Sequence, residues 1–206
     1  MTTALRIHGF PLSGHCHRVQ LFTGLTGITH EYVTVDLAAG EHKREPFLSL
    51  NPAGKVPVIE DGSTVLADSN AILVYLARKY APDWIPSDPL AEAEVQRFLS
   101  LAANEIANGP AAARLVTVFG AGLDAQRAKD IAAYAFDILE KHLKGRSWLV
   151  GDRPTIADVA TYSYTAHAPE GNVSLEPYPA LRALLERIEA LPGFIAMQKT
   201  PVGLAA

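Results

Sequence analysis

The sequence predicts an α/β domain of order β-α-β-α-β-β-α followed by an all-helical domain. Three observations carry that prediction. Short stretches of strand period alternate with helical ones up to residue 80, and a proline-rich stretch without periodicity occupies 81–89. From residue 90 onward almost every apolar pattern has helical spacing. The chain therefore divides into residues 1–80, a linker of 81–89, and a helical domain of 90–206.

The elements follow in order. Leu5 and Ile7 alternate across residues 4–9 and stop at Gly9, Phe10 and Pro11, as a short strand does. Val19, Leu21, Phe22 and Leu25 share a helical face, with Gly24 and Gly27 near its end. Tyr32, Val33 and Val35 form a second strand, which favours a parallel pair joined by a right-handed crossover. A polar segment, 36–43, precedes a short helical piece at 47–50. Val58 and Ile59 before Asp61 and Gly62, with Val65 and Leu66 after them, predict a hairpin. Asp68 and Ser69 cap a helix running to Tyr80, with Ile72, Leu73, Tyr75 and Leu76 inward. Beyond the linker, helices are expected over 90–119, 124–143, 156–167 and 179–191. Small residues such as Ala102, Ala103, Ala107 and Ala111 to Ala113 let those helices approach closely.

Composition narrows the function classes. Apolar residues make up 49% of the 206, enough for a sizeable core and too many for a disordered chain. The net charge of −4, with both signs spread along the chain, argues against a nucleic-acid footprint. No apolar run approaches the length of a membrane span, and residues 1–10 lack the pattern of a secretory signal. A soluble, cytoplasmic protein is expected. Cys16 is the only cysteine, so an intrachain disulfide and a Cys-rich metal site are excluded. His15 and His17 flank it, but an i, i+2 pair on a helix points in different directions, and no metal is expected.

The motifs lie in order along the first domain: residues 11–19 around Ser13, 35–43, 47–57, and 67–72 around Asp68 and Ser69. In the second half, residues 151–159 form a further one. Together they resemble the cytosolic glutathione S-transferases, the serine-using phi and theta-like branch above all. The resemblance covers nearly the whole chain, most densely the first 80 residues. It implies a thioredoxin-like fold for the first domain and glutathione as co-substrate. A homodimer and a hydrophobic electrophile as second substrate are implied with it.

Each motif also has a physical reading. Ser13 precedes the first helix, whose N-terminus favours an anion and so a thiolate. The resemblance makes Ser13 the donor that holds the glutathione sulfur ionised; the alternative is a plain helix cap. Val56 and Pro57 correspond to a cis-proline turn that offers Val56's backbone to the cysteinyl residue of the tripeptide. Apart from the resemblance, Pro57 is an ordinary strand-edge proline. Ser69 suits the γ-glutamyl carboxylate and Asp68 its ammonium, although many relatives have glutamate where this chain has Asp68. His42, Lys43 and Lys55 are assigned to the glycyl carboxylate; taken singly each is a solvated charge. Phe10, Leu12, His15, Leu115 and Phe119, with Val116, are the candidates for the electrophile pocket, and otherwise core residues.

Three residues are assigned no catalytic role. Arg18 is read as structural, paired within the fold or across a subunit contact. Cys16 is read as a buried thiol, the alternative being an exposed one that forms a mixed disulfide. Thr155 and Asp158 form a capping box that supports folding. Three functions compete: conjugation of glutathione to an electrophile, isomerisation or peroxide reduction with the same thiolate, and a non-catalytic binding module. The presence of Ser13, Lys55, Pro57, Asp68 and Ser69 disfavours the last.

Overall fold

The structure, a computed structural model, describes residues 5–206. Ala4, expected to open the first strand, lies outside the described residues. Four strands form one sheet in the order β2-β1-β3-β4. β1 (Leu5–Gly9) pairs in parallel with β2 (His30–Thr34) across the helix α1 (Gly14–Thr26). β1 is antiparallel to β3 (Val58–Asp61), which turns at Gly62 into β4 (Thr64–Ala67). Gly62 has φ 63°, a conformation that costs a side-chain-bearing residue and that glycine takes freely. α2 (Phe47–Leu50) is one turn, and α3 (Ser69–Tyr80) closes the α/β part.

The register brings three connections to one end of this sheet. His8 stands opposite Val58, and Val58 opposite Ala67. The chain leaving β1, the chain entering β3 and the chain leaving β4 therefore emerge side by side. Beneath them Val35, Phe47 and Val58 form a cluster with Leu37, Leu50, Val56 and Ala67 packed against it. At the opposite end of β3, Asp61 accepts hydrogen bonds from Tyr75, Lys79 and Tyr80 and so ties the hairpin to α3. Tyr75, expected inward with Ile72 and Leu73, is half-buried because its hydroxyl serves Asp61.

The chain forms two compact units: Met1–Pro82 with Pro192–Gln198, and Asp83–Leu191 with Lys199–Ala206. The return of 192–198 to the first unit was not legible in the helical pattern. Its anchors there are long-range: His17 Nε2 lies 2.8 Å from the Ile195 carbonyl, Met197 is buried, and Gly193 lies against Gly24.

In the second unit the helical stretch expected over 90–119 is continuous but changes character. α4 (Pro89–Leu101) passes into a π-helical stretch, Ala102–Ala111, and then into α5 (Ala112–Phe119). Pro110 has no N–H for an α-helical bond, and the wider turn accommodates it. α6 (Ala125–Leu143) begins at the Asp124 cap, α7 (Ile156–Ala166) at Thr155, and α8 (Pro179–Glu189) follows. α7 is buried on all sides from Ile156 to Thr165. Its Asp158 accepts from the backbone N–H groups of Thr155 and Leu149, so the capping box also pins the preceding loop.

Gly109 marks a close approach to α6 in this unit. A Cβ there would fall 2.7 Å from the Ala132 backbone nitrogen of α6. Gly109→Ala should therefore push the two helices apart and cost about 1–3 kcal/mol, as overpacking does. Urea denaturation of both proteins checks this; an unchanged midpoint would mean that the contact is soft.

Candidate active site

Ser13 follows β1 through a tight turn in which its N–H donates to the Phe10 carbonyl at 2.9 Å. Its extended backbone, φ −89° and ψ 117°, places it as the N-cap of α1, where its hydroxyl accepts from the Cys16 N–H at 3.4 Å. Capping uses a lone pair of the hydroxyl and leaves its proton for another acceptor. The cap and the donor readings of Ser13 are thus compatible.

Cys16 lies directly behind and is fully buried. Burial pushes its thiol up to about 11, against the bonds with Ser13 and the Phe10 backbone. It is an inert structural thiol at neutral pH. Tyr32 covers the same spot: a Cβ on Gly9 would fall 2.5 Å from the Tyr32 hydroxyl, so a larger residue at the end of β1 would have to displace the Tyr32 side chain.

Val56 and Pro57 enter β3 through a cis peptide bond. Glu45 and Pro46 are joined by another. Asp68 caps α3 with Oδ1, which accepts from Asn70 and Ala71 N–H groups at 2.9 and 3.0 Å. Its φ of 74° with ψ 119° is a strained backbone for a non-glycine residue. The strain sets Asp68 and Ser69 at the sheet end where Ser13 and Val56 also emerge.

Ser69 is buried and held from α1. Arg18 Nη1 donates to Ser69 Oγ at 2.9 Å and to Asn70 Oδ1 at 2.7 Å. His15 Nδ1 lies 3.3 Å from the same Ser69 oxygen. His15, a candidate for the electrophile pocket, thus faces α3 through Nδ1, its position on α1 being one turn before Arg18 and on the same face. Burial drives the His15 pKa down to about 3, with Arg18 and Lys55 adding to the effect and Asp68 opposing it. His17 points away to the Ile195 carbonyl, so the two histidines diverge. Arg18 is thus paired within the fold, one of the two structural readings of the sequence, and Asn70 is the neighbour of Ser69 that the sequence pattern does not single out. The i, i+3 spacing of His15 and Arg18 was the available signal.

Lys43 and Lys55 meet around Gly54. Lys43 Nζ donates to the Gly54 carbonyl at 2.8 Å, and the Lys55 carbonyl accepts from Asn51 at 2.7 Å. The His42 carbonyl lies beside Gly54 as well, and the Nδ1 atom of His42 is buried without a hydrogen-bond partner. Phe10 and Leu12 are half-buried in the turn before α1. Leu115 and Phe119 belong to the second unit, where they are exposed on α5 and not core residues. Among the described residues no group of three or more His, Cys, Asp or Glu side chains is placed to hold a metal ion. No helix among them is long and apolar enough to cross a membrane.

Comparison with known proteins places this geometry. The family pattern for the glutathione S-transferase N-terminal domain matches residues 12–79, and that for the C-terminal domain matches 123–192. Glutathione S-transferase theta-2 of Mus musculus is 35% identical over 193 residues, covering 88% of this chain and 79% of that protein. The chain belongs to the glutathione S-transferase family. Glutathione S-transferase 3 of Zea mays is 33% identical, covering 95% of this chain and 92% of that protein. A glutathione S-transferase of Pseudomonas fluorescens Pf-5 superposes with a TM-score of 0.90 at 31% identity, covering 96% of this chain and all of that one. A glutathione transferase homolog of Drosophila mojavensis, solved with bound glutathione, gives a TM-score of 0.84 at 28% identity, covering 93% and 90%. The first domain is thus the thioredoxin-like domain of this family, followed by its helical domain.

Proposed function

We propose that this glutathione S-transferase family member activates glutathione as a thiolate and directs it at hydrophobic electrophiles. The observation that carries the reading is the convergence of Ser13, Val56, Pro57, Asp68 and Ser69 at one end of the sheet. Ser13 is assigned to the sulfur, whose ionisation the α1 N-terminus favours. The peptide groups of Val56 are assigned to the cysteinyl backbone, Pro57 shaping the turn. Asp68 takes the γ-glutamyl ammonium through Oδ2, which takes no part in the cap. Ser69 and the α3 N-terminus take its carboxylate. His42, Lys43 and Lys55 are assigned to the glycyl carboxylate. Phe10 and Leu12, in the turn before α1, are assigned to the apolar electrophile.

No metal enters this chemistry: a positioned thiolate and an enforced encounter supply the rate. In the same reading the protein works in the cytoplasm as a homodimer, with detoxification of electrophiles as its role.

Calorimetric titration with glutathione and turnover of an aryl halide test the proposal. Ser69→Ala should raise the KM for glutathione about 10- to 100-fold, the worth of a hydrogen bond to a charged group, with a smaller change in kcat. Glutathione binding without turnover of any electrophile would move the reading to isomerisation or peroxide reduction. No binding at all would overturn it.

A further inference from the structure

Arg18 reaches from α1 to the head of α3 and ends on the residue assigned to the γ-glutamyl carboxylate. Its Nη1 donates to Ser69 Oγ at 2.9 Å and to Asn70 Oδ1 at 2.7 Å. Only 1% of Arg18 is exposed, so its effect on a ligand passes through these two residues and not through contact. A guanidinium only donates, so Ser69 Oγ meets it as an acceptor and keeps its one proton for another group. His15 Nδ1, 3.3 Å from the same oxygen, can fill the remaining lone pair as a neutral donor. A carboxylate has only lone pairs to offer, and the serine proton suits it.

We propose that Arg18 is the positioning residue of the γ-glutamyl carboxylate site. The inference rests on the assignment of Ser69 to that carboxylate. Arg18 acts on Ser69 in two ways. By holding the oxygen from behind, it fixes the hydroxyl in one rotamer before a ligand arrives, so less freedom is lost on binding. Its positive charge also polarises the Ser69 O–H, which makes the donor facing the ligand stronger than an isolated serine.

The Asp68 cap supplies neither effect, since it engages the backbone N–H groups of Asn70 and Ala71 and leaves the Ser69 side chain alone. The bond from Arg18 to Asn70 holds the next residue of the same helical turn, so one buried side chain fixes both. A lysine at position 18 would keep the charge on a shorter stem without the planar guanidinium, and it replaces arginine only in part.

The probes are glutathione and its analogue with 4-aminobutyrate in place of the γ-glutamyl residue, which lacks only the carboxylate in question. Titration calorimetry compares them on wild type, Arg18→Lys and Arg18→Met. Arg18→Met should weaken glutathione about 10-fold, within the loss expected for Ser69→Ala, and the analogue by about twofold or less. Arg18→Lys should recover part of the glutathione loss. In turnover the loss should lie in the KM for glutathione, with a smaller change in kcat. The unmodified chain gives a readout that does not depend on the folding of either variant. Its Arg18 guanidinium nitrogen resonances should move when glutathione saturates the site and stay in place with the analogue. Equal losses with the two ligands, or guanidinium resonances indifferent to glutathione, overturn this proposal and leave the functional reading standing. Wild type that binds the analogue as tightly as glutathione removes the Ser69 assignment and the proposal with it. Failure of wild type to bind glutathione overturns the functional reading as well.

Discussion

Ser13→Ala should keep glutathione affinity and lower aryl halide conjugation about 100-fold, the typical loss when one preorganised donor to a developing anion is removed. The hydroxyl caps α1 through a long bond of 3.4 Å, so the variant loses little helix stability. The tripeptide's other assigned contacts, at Val56, Asp68 and Ser69, are untouched. What disappears is a donor beside the sulfur, and the effect belongs in kcat. The bound thiol's pKa, followed by thiolate absorbance in the ultraviolet, should rise in parallel. A fall in turnover without that rise would assign Ser13 to capping alone and place thiol activation elsewhere in the site.

The largest expected loss of stability lies in the helical unit. Arg114 on α5 and Glu170 are both buried and paired at 2.6 Å. Glu170 also faces His167 Nδ1 at 2.6 Å and accepts from the Thr200 N–H at 3.1 Å and the Thr200 hydroxyl. Burial alone would raise the Glu170 carboxyl, but the bonds from Thr200, His167 and Arg114 prevail and hold it down to about 2. Arg114→Met leaves this carboxylate buried without its cation and should cost about 3–5 kcal/mol at neutral pH. Adding Glu170→Gln should recover part of that loss, because the stranded charge is gone.

The pH dependence has a definite sign. A carboxyl with a depressed folded-state pKa stabilises above its unfolded value, about 4.3, and that contribution disappears as pH falls through the folded value near 2. The stability gap between wild type and Glu170→Gln should therefore be constant above pH 5 and shrink between pH 4 and pH 2. Denaturant midpoints across that range measure it. A gap independent of pH would mean that packing, not charge, holds the cluster together.

Much of the fold was legible because it is written in local patterns. Strand and helix periods, the turn at Gly62, the Asp68 cap and the Thr155 to Asp158 box depend on residues a few positions apart. The turn that sets Ser13 at the start of α1 is of the same kind. The π-helical stretch was not legible, since Ala102–Ala111 has ordinary helical spacing and only Pro110 hints at a wider turn.

The sequence by itself determined the order of elements, the family, and which residues stand at the three converging connections. Only the tertiary structure decided that Arg18 and His15 close on Ser69, that Arg114 is buried against Glu170, and that residues 192–198 return to the first unit. The reason is physical. A buried arginine and a solvated one are the same letter, and their difference is a partner 51 or 56 residues away that the chain's path alone brings near.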